Sequence, residues 1–81
     1  MFEAFVIVCA ASLSGVDYNT CIKISDSWGP YRTEENCNIR TDQIIEETID
    51  GPFRQTFIVL LNQPDMLYAE GFCTRLEGSE A

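Results

Sequence analysis

Four cysteines and no histidine frame the chemistry open to this chain of 81 residues. A tetrahedral zinc ion would need thiolates from Cys9, Cys21, Cys37 and Cys73 together. No C-x-x-C pair brings two of them close in sequence, so no metal site is expected. Nucleophilic catalysis needs a base within hydrogen-bond reach of a serine, threonine or cysteine, and without histidine only Lys23 or a carboxylate is available. Adjacent acids such as Glu34 and Glu35, or Glu46 and Glu47, diverge by about 100° on a helix and do not converge on one substrate atom. Gly15 is isolated, Gly29-Pro30 lacks the spacing and lysine of a phosphate loop, and SDSWG lacks the alternating oxygen ligands of a calcium loop. The expectation is a non-enzymatic protein with no catalytic, cofactor-binding or metal-ligating residue.

An even number of cysteines in a short chain suggests two bridges when the protein is secreted, with about three connectivities for four cysteines. Reduced thiols are the alternative, and the N-terminal run FEAFVIVCAASL bears on the choice. It has an apolar stretch and small residues after it, as a secretory signal does, yet it carries Glu3 and no base ahead of the stretch. Val8 also stands where a lipoprotein signal before Cys9 requires a small residue. The run is too short to span a bilayer as a helix, which takes roughly 20 residues, and it reads better as a buried strand. No membrane association is expected; secretion is the alternative if the run is a signal.

The most varied chemistry lies in SDSWGPYRTEENC, residues 25–37, which holds the only tryptophan. Trp28 and Tyr31 either pack over the end of the core and fix the entry of a helix, or anchor a partner, as Trp and Tyr do at interface hot spots. Farther on, Asp42, Glu46 and Asp50 form an i, i+4, i+8 stripe with Ile39 among them. Such a stripe is a solvated helix face or a contact surface.

The elements that must hold these residues follow from periodicity. Residues 4–11 are apolar at nearly every position, predicting a central strand covered on both faces. Residues 19–26 alternate, with Ile22 and Ile24 on one face, and pair with the first strand as a hairpin closed by a long loop. Thr33 stands as an N-cap, Glu34 and Glu35 sit at the positive end of the helix dipole, and Gly51-Pro52 stops a helix over 34–50. Cys37, Thr41, Ile44, Ile45 and Thr48 share its apolar arc. Residues 53–61 read as a second, shorter helix, with a strand as the competing reading, and 66–75 alternate as a third strand. The fold class is therefore α+β: a three-stranded antiparallel sheet carrying two helices, a single domain over 1–76, then a flexible acidic tail at 77–81. Because Ile22 and Ile24 face the core, Cys21 points away from the helix while Cys37 faces the sheet. Pairing of Cys37 with Cys9 or Cys73 is preferred over Cys21.

Cys21, Asp26, Gly29-Pro30-Tyr31, Thr33, Cys37, Arg40 and the late YAEGFC together resemble small, functionally uncharacterised proteins of bacteriophages, particularly marine ones. In these a GPY-x-T segment links a strand to a cysteine-bearing helix. The resemblance carries no activity and no site residue. It implies a phage-encoded protein in the host cytoplasm, where thiols stay reduced.

Thirteen acids against five bases give a net charge of −8, and the bases are scattered, so nucleic acid is not an expected ligand. A protein surface, ideally cationic, is. The expected function is a small protein-binding module acting through Trp28, Tyr31 and their surroundings. The alternative is an acidic DNA mimic or anti-defence inhibitor acting through Asp42, Glu46 and Asp50. If both helices lie on one side of the sheet, one face of the first strand is left uncovered and a homodimer is expected.

Overall fold

The computed structural model describes residues 1–76 as three strands and two helices, in the order β1 (Phe2–Ser12), β2 (Gly15–Ser25), α1 (Glu34–Ile49), α2 (Arg54–Leu60) and β3 (Met66–Arg75). The strands form one antiparallel sheet in the order β2-β1-β3, so the most apolar run of the chain is the central strand. The α+β architecture is the one the periodicity predicts. The tail expected to be flexible, 77–81, lies outside the described residues.

Alternation along β1 sorts its side chains between two environments. Ala4, Val6, Val8 and Ala10 are buried on the face beneath the helices, and the last three cluster with Ile44 and Ile45 of α1 and with Phe57 and Leu61 at α2. Phe5 and Ile7 project from the opposite face and are only half-buried. Both helices therefore lie on the same side, and the expectation that β1 is covered on both faces is met on one face only.

The hairpin between β1 and β2 is tighter than its turn-forming residues suggest. Ser12 pairs directly with Gly15, so Leu13 and Ser14 alone make the turn, and Gly15 adopts a φ of +129° that a side chain would strain. Asp17, Tyr18 and Asn19, which look like a loop in the sequence, instead begin a bulge. Cys9 pairs with Cys21 and Ala10 with Asp17, which leaves Tyr18, Asn19 and Thr20 without partners on β1. The Asp17 carboxylate holds the bulge by accepting from the Asn19 amide at 3.0 Å and the Thr20 hydroxyl at 2.8 Å.

Helix α1 starts where its cap residue dictates. The Thr33 hydroxyl accepts from the Asn36 amide at 3.1 Å, and Glu34 and Glu35 occupy the first turn. At the other end Arg54 donates to the Ile49 carbonyl at 2.8 Å, so α2 supplies a cation to the terminus of α1. The buried residues of α1 are Cys37, Thr41, Ile44 and Thr48, all within the arc expected to face the sheet. Leu61 caps α2, and Asn62 and Gln63 then enter the left-handed region, at φ 73° and 56°, to turn the chain toward β3.

Both disulfides follow strand parity. Cys9 and Cys21 face one another across β1 and β2 on the open face, and Cys37 is bridged to Cys73, which ties α1 to β3 on the helix-covered face. The preference for Cys37 with a strand cysteine resolves to Cys73. Beside that bridge α1 comes unusually close to β3: a Cβ built on Gly71 would lie 2.6 Å from the Thr41 Cβ.

Candidate functional site

The segment between β2 and α1 does not simply leave the sheet. The Asp26 amide donates to the Ala4 carbonyl at 3.0 Å, and Tyr31 then exchanges both backbone hydrogen bonds with Phe2, at 2.7 and 2.8 Å. Ser27 to Pro30 are thus looped out between two points stitched to the edge of β1, with the Gly29-Pro30 peptide in the cis form. Loop and sheet are fixed to each other, so whatever the loop carries is held in a defined place.

Asp26 organises this loop from below. Its carboxylate accepts from the Tyr31 hydroxyl and, at 3.1 Å, from the Trp28 amide, while the Arg40 Nε lies 3.4 Å from Oδ1. The Arg40 Nε is buried and aligned so that it makes no hydrogen bond there, which leaves a charge contact rather than a directed bond. Burial works to raise the Asp26 carboxyl. The Tyr31 and Trp28 hydrogen bonds and the Arg40 charge outweigh it and hold the carboxyl below its ordinary 3.8. The Tyr31 hydroxyl is pushed above its ordinary 10.0, by burial first and then by its bond to the Asp26 carboxylate and that charge.

Trp28 takes the opposite course to Tyr31. Read in the sequence either as packing over the core or as anchoring a partner, it is 75% exposed, and its ring lies against the Arg40 guanidinium, 4.1 Å from ring centroid to Cζ. Only Tyr31 follows the architectural reading. A loop residue has no helical or strand period to tell which way it points, and the ring is turned outward here because Arg40, two turns into α1, offers it a cationic face.

Beside Trp28 opens a cleft of about 310 Å³. Helix α1 packs chiefly on β3 and β1, which leaves the inward side chains of β2 without a full cover. The cleft is that gap. Ile24, Ile44 and Phe57 form apolar parts of its lining, Trp28 and the 51%-exposed Phe53 are the large exposed hydrophobics along it, and Asp26, Arg40 and Glu47 supply the charge. Arg40, Phe53 and Ile24 were not legible as site residues in the sequence. Arg40 is separated from Trp28 by a turn and half a helix, and Phe53 sits at the N-cap of α2, where it reads as an ordinary core position.

The other candidate residues are not part of this cleft. Ile39, Asp42 and Glu46 on α1, and Asp50 at its C-terminal cap, are all exposed and do not line it. Cys9, Cys21, Cys37 and Cys73 are consumed in the two bridges. Among the described residues no group of three or more acids, cysteines or histidines is arranged to hold a metal ion, and no helix is long and apolar enough to cross a membrane. Comparison with models of known protein families, with curated proteins and with solved structures finds no match to this chain.

Proposed function

We propose that this is a non-enzymatic protein-binding module whose cleft between β2 and the two helices receives an apolar side chain of a protein partner. The observation that carries the reading is Trp28: a tryptophan left largely in water, yet held in one orientation by Arg40 and by a loop pinned at both ends, beside an apolar cleft. Ordering before binding lowers the entropic cost of association, and large aromatics beside a pocket are the residues that dominate interface energies. The cleft lies at the lower end of the volumes that bind small ligands, which suits one or two inserted side chains. Net charge of −8 favours a partner segment whose apolar anchor is flanked by Lys or Arg.

The test is selection of binding peptides from a random library by the immobilised protein, repeated with Trp28→Ala, with Phe53→Ala and with Asp42→Asn, Glu46→Gln and Asp50→Asn combined. The expected ligands carry an apolar anchor with basic neighbours, and they bind at least tenfold more weakly to Trp28→Ala, the loss typical of a hot-spot residue. Thermal melting of each variant confirms that the fold persists. Binding that survives both aromatic substitutions, is lost with the three neutralised acids and is displaced by DNA would replace this reading with the DNA-mimic one.

A further inference from the structure

We infer that the open face of the sheet is a self-association surface, on which a second copy of this chain packs with a two-fold axis running parallel to β1. Its residues are those of the opposite parity to the core: Phe5 and Ile7 on β1, Lys23 on β2, and Tyr68, Glu70 and Phe72 on β3. They already form a pre-packed layer. Phe5 and Phe72 stack at 5.0 Å between centroids, and Lys23 lies over the Phe5 ring at 4.5 Å. Neither helix covers them, because both lie on the other side.

Charge is what selects a second copy as the occupant. The chain carries a net charge of −8, yet among the described residues the strands present on this face only Glu3 and Glu70 against Lys23, the sole lysine, so it is the near-neutral side of a strongly acidic molecule. Among the described residues Lys23 has no carboxylate partner. In the register of the sheet Lys23, Ile7 and Glu70 stand in one row, Lys23 on one side of Ile7 and Glu70 on the other. Neighbouring strands are about 4.8 Å apart, so the two charges flank Ile7 symmetrically.

Turning a second sheet over about an axis parallel to β1 lays β2 of one copy on β3 of the other. Ile7 then meets the partner's Ile7 on the axis, Lys23 meets the partner's Glu70, and the same pair recurs on the far side. An axis perpendicular to the strands instead opposes Lys23 to the partner's Lys23 and Glu70 to the partner's Glu70. The parallel axis also leaves the strands of the two sheets nearly aligned, the ordinary arrangement of packed sheets. The face is roughly 14 by 33 Å from strand spacing and rise, which is small for a specific interface and implies a reversible dimer with micromolar dissociation.

Sedimentation equilibrium across the micromolar range tests this with the whole chain, using the wild type, Lys23→Glu, Glu70→Lys and the double exchange. All three variants alter exposed side chains, and circular dichroism with the disulfides intact verifies that each folds. The expected result is a wild-type dimer that each single reversal weakens about tenfold, since each replaces two attractive pairs with two repulsive ones, and that the double exchange restores to within about threefold of wild type. A 9.1 kDa monomer at all concentrations overturns the inference. So does a dimer indifferent to the single reversals, which would place the contact at the open edges of β2 or β3. A double exchange no better than the singles overturns the axis.

Discussion

Asp26 and Tyr31 show how much of the loop between β2 and α1 rests on one hydrogen-bonded pair. The Asp26 carboxyl is depressed in the folded chain, so its contribution to stability is present above the unfolded value of 3.8 and is lost as pH falls through the lower folded value. The Tyr31 hydroxyl is raised, so its contribution is present below 10.0 and is lost as pH rises through the folded value. Tyr31→Phe removes the donor, abolishing the tyrosine's own titration and weakening the depression of Asp26, which the Trp28 amide and the Arg40 charge still maintain. The expected outcome is a destabilisation of about 1.5 kcal/mol, the usual loss for a hydrogen bond to a charged group, that is level between these two limits and shrinks beyond either one. Urea titrations of both proteins at acid, neutral and alkaline pH measure it, and a difference that grows in acid would contradict the assignment. The sequence left Tyr31 open between packing over the core and anchoring a partner; its bond to Asp26 makes it part of the loop's scaffold, where Gly29-Pro30 and Thr33 bracket it with strong backbone preferences. It left the direction of Trp28 open, because the ring's orientation depends on Arg40 across a turn that no local rule spans.

At the scale of elements, the close approach of α1 to β3 is what leaves β2 partly uncovered and so creates the cleft. Gly71 permits that approach, since an added Cβ would stand 2.6 Å from the Thr41 Cβ and 2.8 Å from its Oγ1. Thr41 is itself buried and its hydroxyl is committed to the Asn38 carbonyl at 2.9 Å, so it has little room to move aside. Gly71→Ala is expected to cost about 1 to 3 kcal/mol by overpacking, in spite of the gain in strand propensity. Denaturant unfolding gives the number, and a stabilised variant would show that α1 is not seated here. The existence of each strand and both ends of α1 were legible because alternation, the Thr33 cap and the Gly51-Pro52 stop each act within a few residues, whereas the start of β2, read at 19, lies at Gly15. The role of Gly71 was not, because the atom it makes way for belongs to Thr41, on another element. The bulge at Tyr18 to Thr20 was hidden for a related reason: Asp, Asn and Thr favour turns and bulges alike, and only pairing with β1 decides which forms.

For the molecule as a whole, the bridges decide where it can remain folded. A domain of this length has a typical net stability of about 4 to 12 kcal/mol, and its core is built on one face of the sheet only. The Cys9–Cys21 bridge closes 12 residues and the Cys37–Cys73 bridge 36. By loop-closure entropy these are worth about 3 and 4 kcal/mol. Losing both removes an amount comparable to the entire stability. The Cys37–Cys73 bridge matters more on two counts, since it closes the longer loop and also fastens α1 to β3 beside Gly71, where Cys37 is wholly buried. Both bridges need an oxidising environment to form, whereas the phage resemblance implies a reducing cytoplasm. Urea unfolding should give a midpoint that falls modestly for Cys9→Ser with Cys21→Ser, further for Cys37→Ala with Cys73→Ala, and nearly to zero when strong reductant opens both bridges. A fully reduced chain that unfolds cooperatively at close to the oxidised midpoint would show that the one-sided core suffices, and the cytoplasm would again be an adequate home.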